Sequence, residues 1–216
     1  MSLRADLKTR PAVSRKAIVG GVLAVALVAA MALDTRVVHK GSEQDVQADL
    51  FSAEAYGPAH FPEVQADVEK RATDAAPLAA AIAADKAAAG KQYGVPTSSG
   101  AVIPVKFTGV VGEGKSGIYA VAVEGLPPEV KVRVQTGPAI NGTDLRDATG
   151  KIVFGQFVNQ IEYQDAGAAL NNEMKKVVLS GLDTTGLAGK TVEVVGVFKL
   201  VNPKNWLVTP VRIRVP

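Results

Sequence analysis

The sequence predicts an α+β protein, mainly β with helices, and three observations carry that expectation. From about residue 101 onward, β-branched residues dominate and recur in five runs with strand-like alternation. Ahead of them lies an acidic, Ala-rich stretch with helical spacing. Ahead of that, residues 17–33 form an uninterrupted apolar run behind a basic flank, the pattern of a membrane helix. With 216 residues, 47% hydrophobic and 21% charged, the chain can bury a sizeable core and is too apolar to be disordered.

The N-terminal element is an address. Arg4, Lys8, Arg10, Arg15 and Lys16 face only Asp6, a local net charge of +4. The following run, AIVGGVLAVALVAAMAL, holds no charge over 17 residues. A basic flank before an apolar helix sets the N-terminus in the cytoplasm and sends the rest of the chain outward. Two fates are open for residues 17–33. They stay as a single-pass transmembrane signal anchor at the periplasmic face of the inner membrane, or Ala30-Met31-Ala32 serves as a cleavage site and releases a soluble periplasmic protein.

The second element is helical. Phe61, Val64 and Val68 repeat at helical spacing, and a second helix is expected over 74–89, with Pro77 in its first turn and Gly90 at its stop. Residues 41–91 hold nine acids and four bases, the pattern of a solvated helix face. His39 and His60, the two histidines, have no neighbours at metal-site spacing, and no metal or cofactor is expected.

The strand runs fall at 102–111, 118–123, 130–135, 191–198 and 207–215, with Pro210 marking an edge or bulge in the last. A helix capped by Asp165 and stopped by Gly181 sits between the third and fourth. Three strands, a helix and two strands is the element order of the OB-fold, a five-stranded Greek-key barrel. The runner-up is a small open sandwich of the same strands. The expected organisation is therefore a cytoplasmic flank (1–16), a transmembrane helix or signal peptide (17–33), an acidic helical region (34–94) and an OB-like barrel (95–216).

Composition removes several function classes. With no Cys, the chain has no disulfide, no thiolate metal site, no Cys nucleophile and no lipidated Cys. Many OB-folds bind oligonucleotides, but that needs a basic groove interleaved with aromatics. Residues 101–216 hold 13 basic and 10 acidic residues without such a cluster, so no nucleic-acid partner is expected. Residues 109–116, GVVGEGKS, fit the P-loop pattern letter for letter. The phosphate cradle requires a helix after the loop, whereas GIYAVAV reads as a strand. A hairpin turn is expected there, and no nucleotide.

The polar segment 137–172 is the candidate ligand or partner site. Arg146, Asp147, Asn159, Gln160, Glu162 and Asn171 are interleaved with Phe157 and Tyr163. Amides, an Arg, a carboxylate and rings suit a carbohydrate or other polar small molecule, because hydroxyls need planar donors and acceptors and sugar faces need rings. The structural alternative is that Asn159 and Gln160 cap loops while Arg146 pairs with a carboxylate to hold the long connection. No catalytic constellation stands out. A hydrolase or lyase would have to use carboxylates such as Asp147 and Glu162 about 5–10 Å apart. An envelope-assembly role through the acidic helices is a third possibility.

The segments Gly137-Pro138, Gly142-Thr143, Leu145-Arg146-Asp147-Ala148, Phe154, Phe157, Asn159-Gln160-Ile161-Glu162-Tyr163 and Ala169-Leu170-Asn171 carry a resemblance. With Gln92-Tyr93-Gly94 and Thr209-Pro210-Val211, they resemble the bacterial predicted periplasmic lipoproteins known as domain of unknown function 2291. The resemblance implies a membrane-tethered periplasmic protein without established enzymatic activity, encoded near sugar ABC-transporter components. It therefore implies an accessory or binding role whose partners are those components or a sugar. Such proteins carry a lipobox Cys after the leader, and this chain has none, which shifts the expected tether to residues 17–33 themselves.

Overall fold

The computed structural model describes residues 15–34 and 51–216, which fall into two units, Met1–Leu50 and Phe51–Pro216. His39 and the basic residues before Arg15 lie outside the described residues, as do Glu43, Asp45 and Asp49. In the first unit the apolar run is helical: α1 spans Arg15–Asp34. From Ile18 to Asp34 its side chains are all exposed. Its uncharged part is only 17 residues, about 25 Å of rise against a hydrocarbon core of about 30 Å. No helix among the described residues is long and apolar enough to cross a membrane, so the expected transmembrane span is not met at that length.

The second unit begins with α2 (Ala53–Arg71), capped by Ser52, whose hydroxyl accepts from the Ala55 amide. Phe61, Val64 and Val68 are buried on one face, as their spacing predicts. Two residues pair as β1 (Thr73–Asp74), and the helix expected over 74–89 is in fact two, α3 (Ala75–Ala84) and α4 (Lys86–Tyr93). The break has a local cause. Asp85 turns out of helical geometry, and its Oδ1 accepts from the Ala87 and Ala88 amides at 2.8 and 3.0 Å, capping a new helix. Gly90 is therefore not a stop. It is buried inside α4, where its missing Cβ admits Ala101.

The five expected strands all form: β2 (Ala101–Lys115), β3 (Ile118–Val123), β4 (Lys131–Gln135), β5 (Thr191–Leu200) and β6 (Asn205–Arg214). With β1 the sheet has six strands rather than five, in the order β1-β2-β3-β4-β6-β5, and β2 also pairs with β5. The 15-residue β2 serves two neighbours in turn, pairing with β5 through Ala101–Val110 and with β3 from Gly109 to Lys115. Gly109 sits where it changes partner, and a Cβ there would meet the Ala122 carbonyl oxygen at 2.5 Å. All pairs among β2–β6 are antiparallel except β4–β6.

The P-loop-like residues end in the expected hairpin. Ser116 and Gly117 form the β2–β3 turn, both at positive φ, and a strand follows. Pro210 lies at a register shift, as expected: Val195 pairs with Arg212 but Gly196 with Pro210, leaving Val211 bulged. The freed Val211 carbonyl accepts from Gln65 Nε2 of α2 at 2.7 Å. Because α2 packs on β2, β5 and β6, both faces of β5 are buried over 194–198, which overrides the half-buried alternation of the sequence. One continuous core therefore joins Phe61, Val68 and Leu78 of the helices to Ile103, Phe198 and Trp206 of the strands. Phe198 and Trp206 stack at 4.6 Å.

Between β4 and β5 run α5 (Asp144–Asp147), a 3₁₀ turn (Phe154–Gln156) and α6 (Gln160–Met174), continued by one π-helical turn (Lys175–Leu179). The helix starts earlier than the sequence suggests. Asn159 is its N-cap, with Oδ1 accepting from the Glu162 amide at 2.9 Å, while Asp165 is an exposed residue inside the helix.

Candidate functional site

The long β4–β5 connection is fixed by side chains reaching across it. Gln135, fully buried at the end of β4, accepts from the Asn141 amide and donates to the Asn141 carbonyl and to Thr209 Oγ1, at 2.9, 3.1 and 2.9 Å. Asn171 of α6 donates to the Gly142 carbonyl at 2.9 Å. These bonds hold residues 141–143 in place and present α5.

On α5 a charged network is buried. Arg146 donates to Asp147 Oδ1 through Nε and Nη2, both at 2.8 Å, and through Nη1 to the Tyr163 carbonyl at 2.9 Å. Its guanidinium also lies 3.6 Å over the Tyr163 ring, a close cation–π contact. Asp147 Oδ2 accepts from Thr143 Oγ1 at 2.8 Å. From β5, Lys199 approaches Asp144 and Asp147 at 3.4 and 3.5 Å. Burial pushes the Asp144 carboxyl above its ordinary range, an effect Lys199 opposes. Two cations and two anions thus neutralise one another, with Lys199 the most open of the four to solvent.

Thr143 and Arg146 of this network line two clefts. One, of about 540 Å³, is lined by Asn141, Thr143, Gln160, Gln164, Asn171 and Lys175 with Arg146 at its side. The other, of about 490 Å³, is lined by Thr97, Ser98, Ser99, Asp147, Tyr163 and Lys199, again with Arg146. Hydroxyls and amides face both beside the charged groups, Asp165 and Lys175 on the first and Asp147 and Lys199 on the second, and Tyr163 supplies a ring to the second.

The structure brings together Arg146, Asp147 and Tyr163, and sets Gln160 and Asn171 on the first cleft. Asn159 and Glu162 sit in the α6 cap, where Glu162 Oε2 accepts from the Val158 amide at 3.1 Å. Phe157 belongs to an aromatic cluster with Phe51, Tyr56 and Tyr163, at centroid distances of 5.7, 5.8 and 5.4 Å. Sequence reasoning missed Thr143, Asp144, Lys199 and the Thr97–Ser99 hydroxyls. Lys199 had a signal, a lone cation in an otherwise apolar end of a strand. The Ser residues had none, since the same letters read equally well as a linker.

The comparisons with known proteins bear on fold and family. No curated protein matches the chain. A crystal structure of an OB-fold protein from Thermotoga maritima matches with a TM-score of 0.61 and 20% identity, covering 77% of this chain and 99% of that one. At that identity the likeness concerns the fold alone, and it supports the OB-fold expected from the element order. The family described as "Predicted periplasmic lipoprotein (DUF2291)" matches residues 22–214. That match takes in α1 from Val22, both clefts and every strand. A chain without Cys thus belongs to the DUF2291 family of predicted periplasmic lipoproteins.

Proposed function

We propose that the protein is a non-catalytic periplasmic binding module, held at the membrane by its leader, that assists a sugar-uptake system of the ABC-transporter type. The observation that carries the binding reading is the internal neutralisation of Arg146, Asp147, Asp144 and Lys199. A charged network spent on itself offers no field for an ionic substrate. Beyond it the two clefts present hydroxyls, amides and a ring, with one acid and one base, Asp165 and Lys175, on the first, which suits a neutral polyhydroxylated ligand. A carboxylate-dependent hydrolase or lyase is less well supported, because Asp147 already accepts from Arg146 and Thr143, and Glu162 from the Val158 amide.

The tether reading rests on α1, whose apolar side chains from Ile18 to Leu33 are exposed. An apolar segment shorter than the bilayer core is accommodated by local thinning and by flanking cations that snorkel, here Arg15 and Lys16.

The test is to extract the full-length protein from native membranes and identify what comes with it, then to screen neutral sugars and sugar acids by thermal shift. Recovery of transporter components, together with stabilisation by a neutral sugar that Gln160→Ala abolishes, is the expected result. Stabilisation by sugar acids alone, or neither a partner nor a ligand, would overturn the reading.

A further inference from the structure

The body carries an apolar tip that its own fold does not use. Residues 152–161, IVFGQFVNQI, contain no charge. Four of their large apolar side chains stand in solvent: Val153, Phe154, Val158 at 77% and Ile161 at 71% exposure. The tip is not a slack loop. Gln156 Oε1 accepts from the Val153 amide at 3.0 Å, the Phe157 amide donates to the Phe154 carbonyl at 3.0 Å, and the Asn159–Glu162 cap closes its far end. Val158 precedes the N-cap of α6, the position from which a hydrophobic residue ordinarily folds back onto the fourth helical residue. That residue is Tyr163, already packed on Phe154, Phe157 and Arg146, and Val158 points outward instead.

The tip is also where the chain coming from α1 joins the body. Phe51, the first described residue of the second unit, lies 5.7 Å from Phe157 and 5.3 Å from Tyr56. The sixteen residues 35–50 can reach at most about 55 Å even fully extended. A body so tied to a membrane-held leader meets the bilayer at high effective concentration, so a small apolar contact suffices.

We infer that Val153, Phe154, Val158 and Ile161 form a membrane-docking tip that inserts into the headgroup–acyl boundary of the bilayer holding the leader. This rests on the proposed tether. Since the tip is uncharged, docking depends neither on anionic lipid nor on low salt. The second cleft, which shares Tyr163 with the aromatic cluster beneath the tip, then opens close to the membrane surface.

The absence of Cys makes the test direct. Single-cysteine variants Val158→Cys, Leu27→Cys and Val201→Cys of the full chain are labelled with an environment-sensitive dye. Each is reconstituted in phosphatidylcholine vesicles, with and without phosphatidylglycerol, that contain lipids bearing a shallow or deep quencher. The expected result is a blue shift and loss of emission for residue 158 with the shallow quencher, in both lipid mixtures and at high salt, while residue 201 stays aqueous. Quenching at residue 27 without quenching at 158 overturns the tip and leaves the tether standing. An unquenched residue 27 overturns both. A blue shift at 158 that no lipid quencher reduces marks a protein interface instead, and also overturns the tip.

Discussion

Arg146 is the side chain on which the candidate site depends, because it is buried and its compensation is concentrated in one neighbour. Truncating one partner of a buried ion pair leaves the other charge without a counter-ion, at a cost of about 3–5 kcal/mol. Asp147→Ala is therefore expected to cost about 3 kcal/mol, read as a lowered urea midpoint at unchanged slope. The exposed Lys151–Glu63 pair is the control, since it is screened by solvent. Glu63→Gln should leave the midpoint where it was, and equal losses in the two variants would refute the buried network as a stabilising centre. Asp144 behaves differently from its neighbour. Its carboxyl is raised above the ordinary value by burial, so the folded state holds that proton more tightly than the unfolded chain. The resulting stability is fully present below the ordinary carboxylate pKa of about 4, and is lost as pH rises through the folded value. Relative to Asp144→Asn, the wild type should lose stability as pH climbs from about 4 toward neutrality. Parallel profiles for the two proteins would show that Lys199 cancels the burial effect.

Elements here are set by caps and turns more than by apolar period, and the start of α6 shows it. The apolar side legible in the sequence begins at Ala168, so Asp165 looks like its cap, yet the backbone turns helical at Gln160 behind Asn159. Asn159→Ala should then cost about 1 kcal/mol, while Asp165→Ala should cost nothing measurable by chemical denaturation. The reverse order would return the helix start to Asp165. If Asn159 acts only as a cap, its loss will also leave ligand stabilisation per mole unchanged. The β2–β3 turn is a sharper case. Gly117 holds φ +75, and a Cβ there would fall on the Gly137 carbonyl oxygen, while the Thr136 amide donates to the Gly117 carbonyl at 2.7 Å. Gly117→Ala should cost more than about 2 kcal/mol through strain and the displaced loop, whereas Gly181→Ala, with open space at the same position, should be tolerated. The strands were legible because alternation is a local signal. The buried strand face under α2, the Asp85 break and the convergence of Lys199 with α5 were not, because each depends on where the chain goes in space.

At the scale of the molecule, charge separates an address from a body. The 22.4 kDa chain has a formal net charge of +3 and a pI near 9.1, which invites a nucleic-acid reading until the charge is located. Residues 1–16 hold +4, whereas from Asp34 onward 19 bases face 20 acids. The body is close to neutral, and within it the buried network by the clefts and the uncharged tip at 152–161 both avoid net charge. Such a body has little net electrostatic attraction to lipid headgroups or to anionic ligands, so under the proposed tether its position would come from the leader and from apolar contact. That makes retention of the leader a measurable property of the whole protein. Protein extracted from membranes should focus near pH 9 and show the full 22.4 kDa by intact mass, and alkaline carbonate washing should not release it. Processing before Leu33 would remove the basic flank and move the focusing point to a neutral or mildly acidic pH, with the protein in the soluble fraction. A neutral, soluble form as the main species would sink both the tether and the docking tip, because the body alone would then lack the high effective concentration that four apolar side chains need to hold a bilayer.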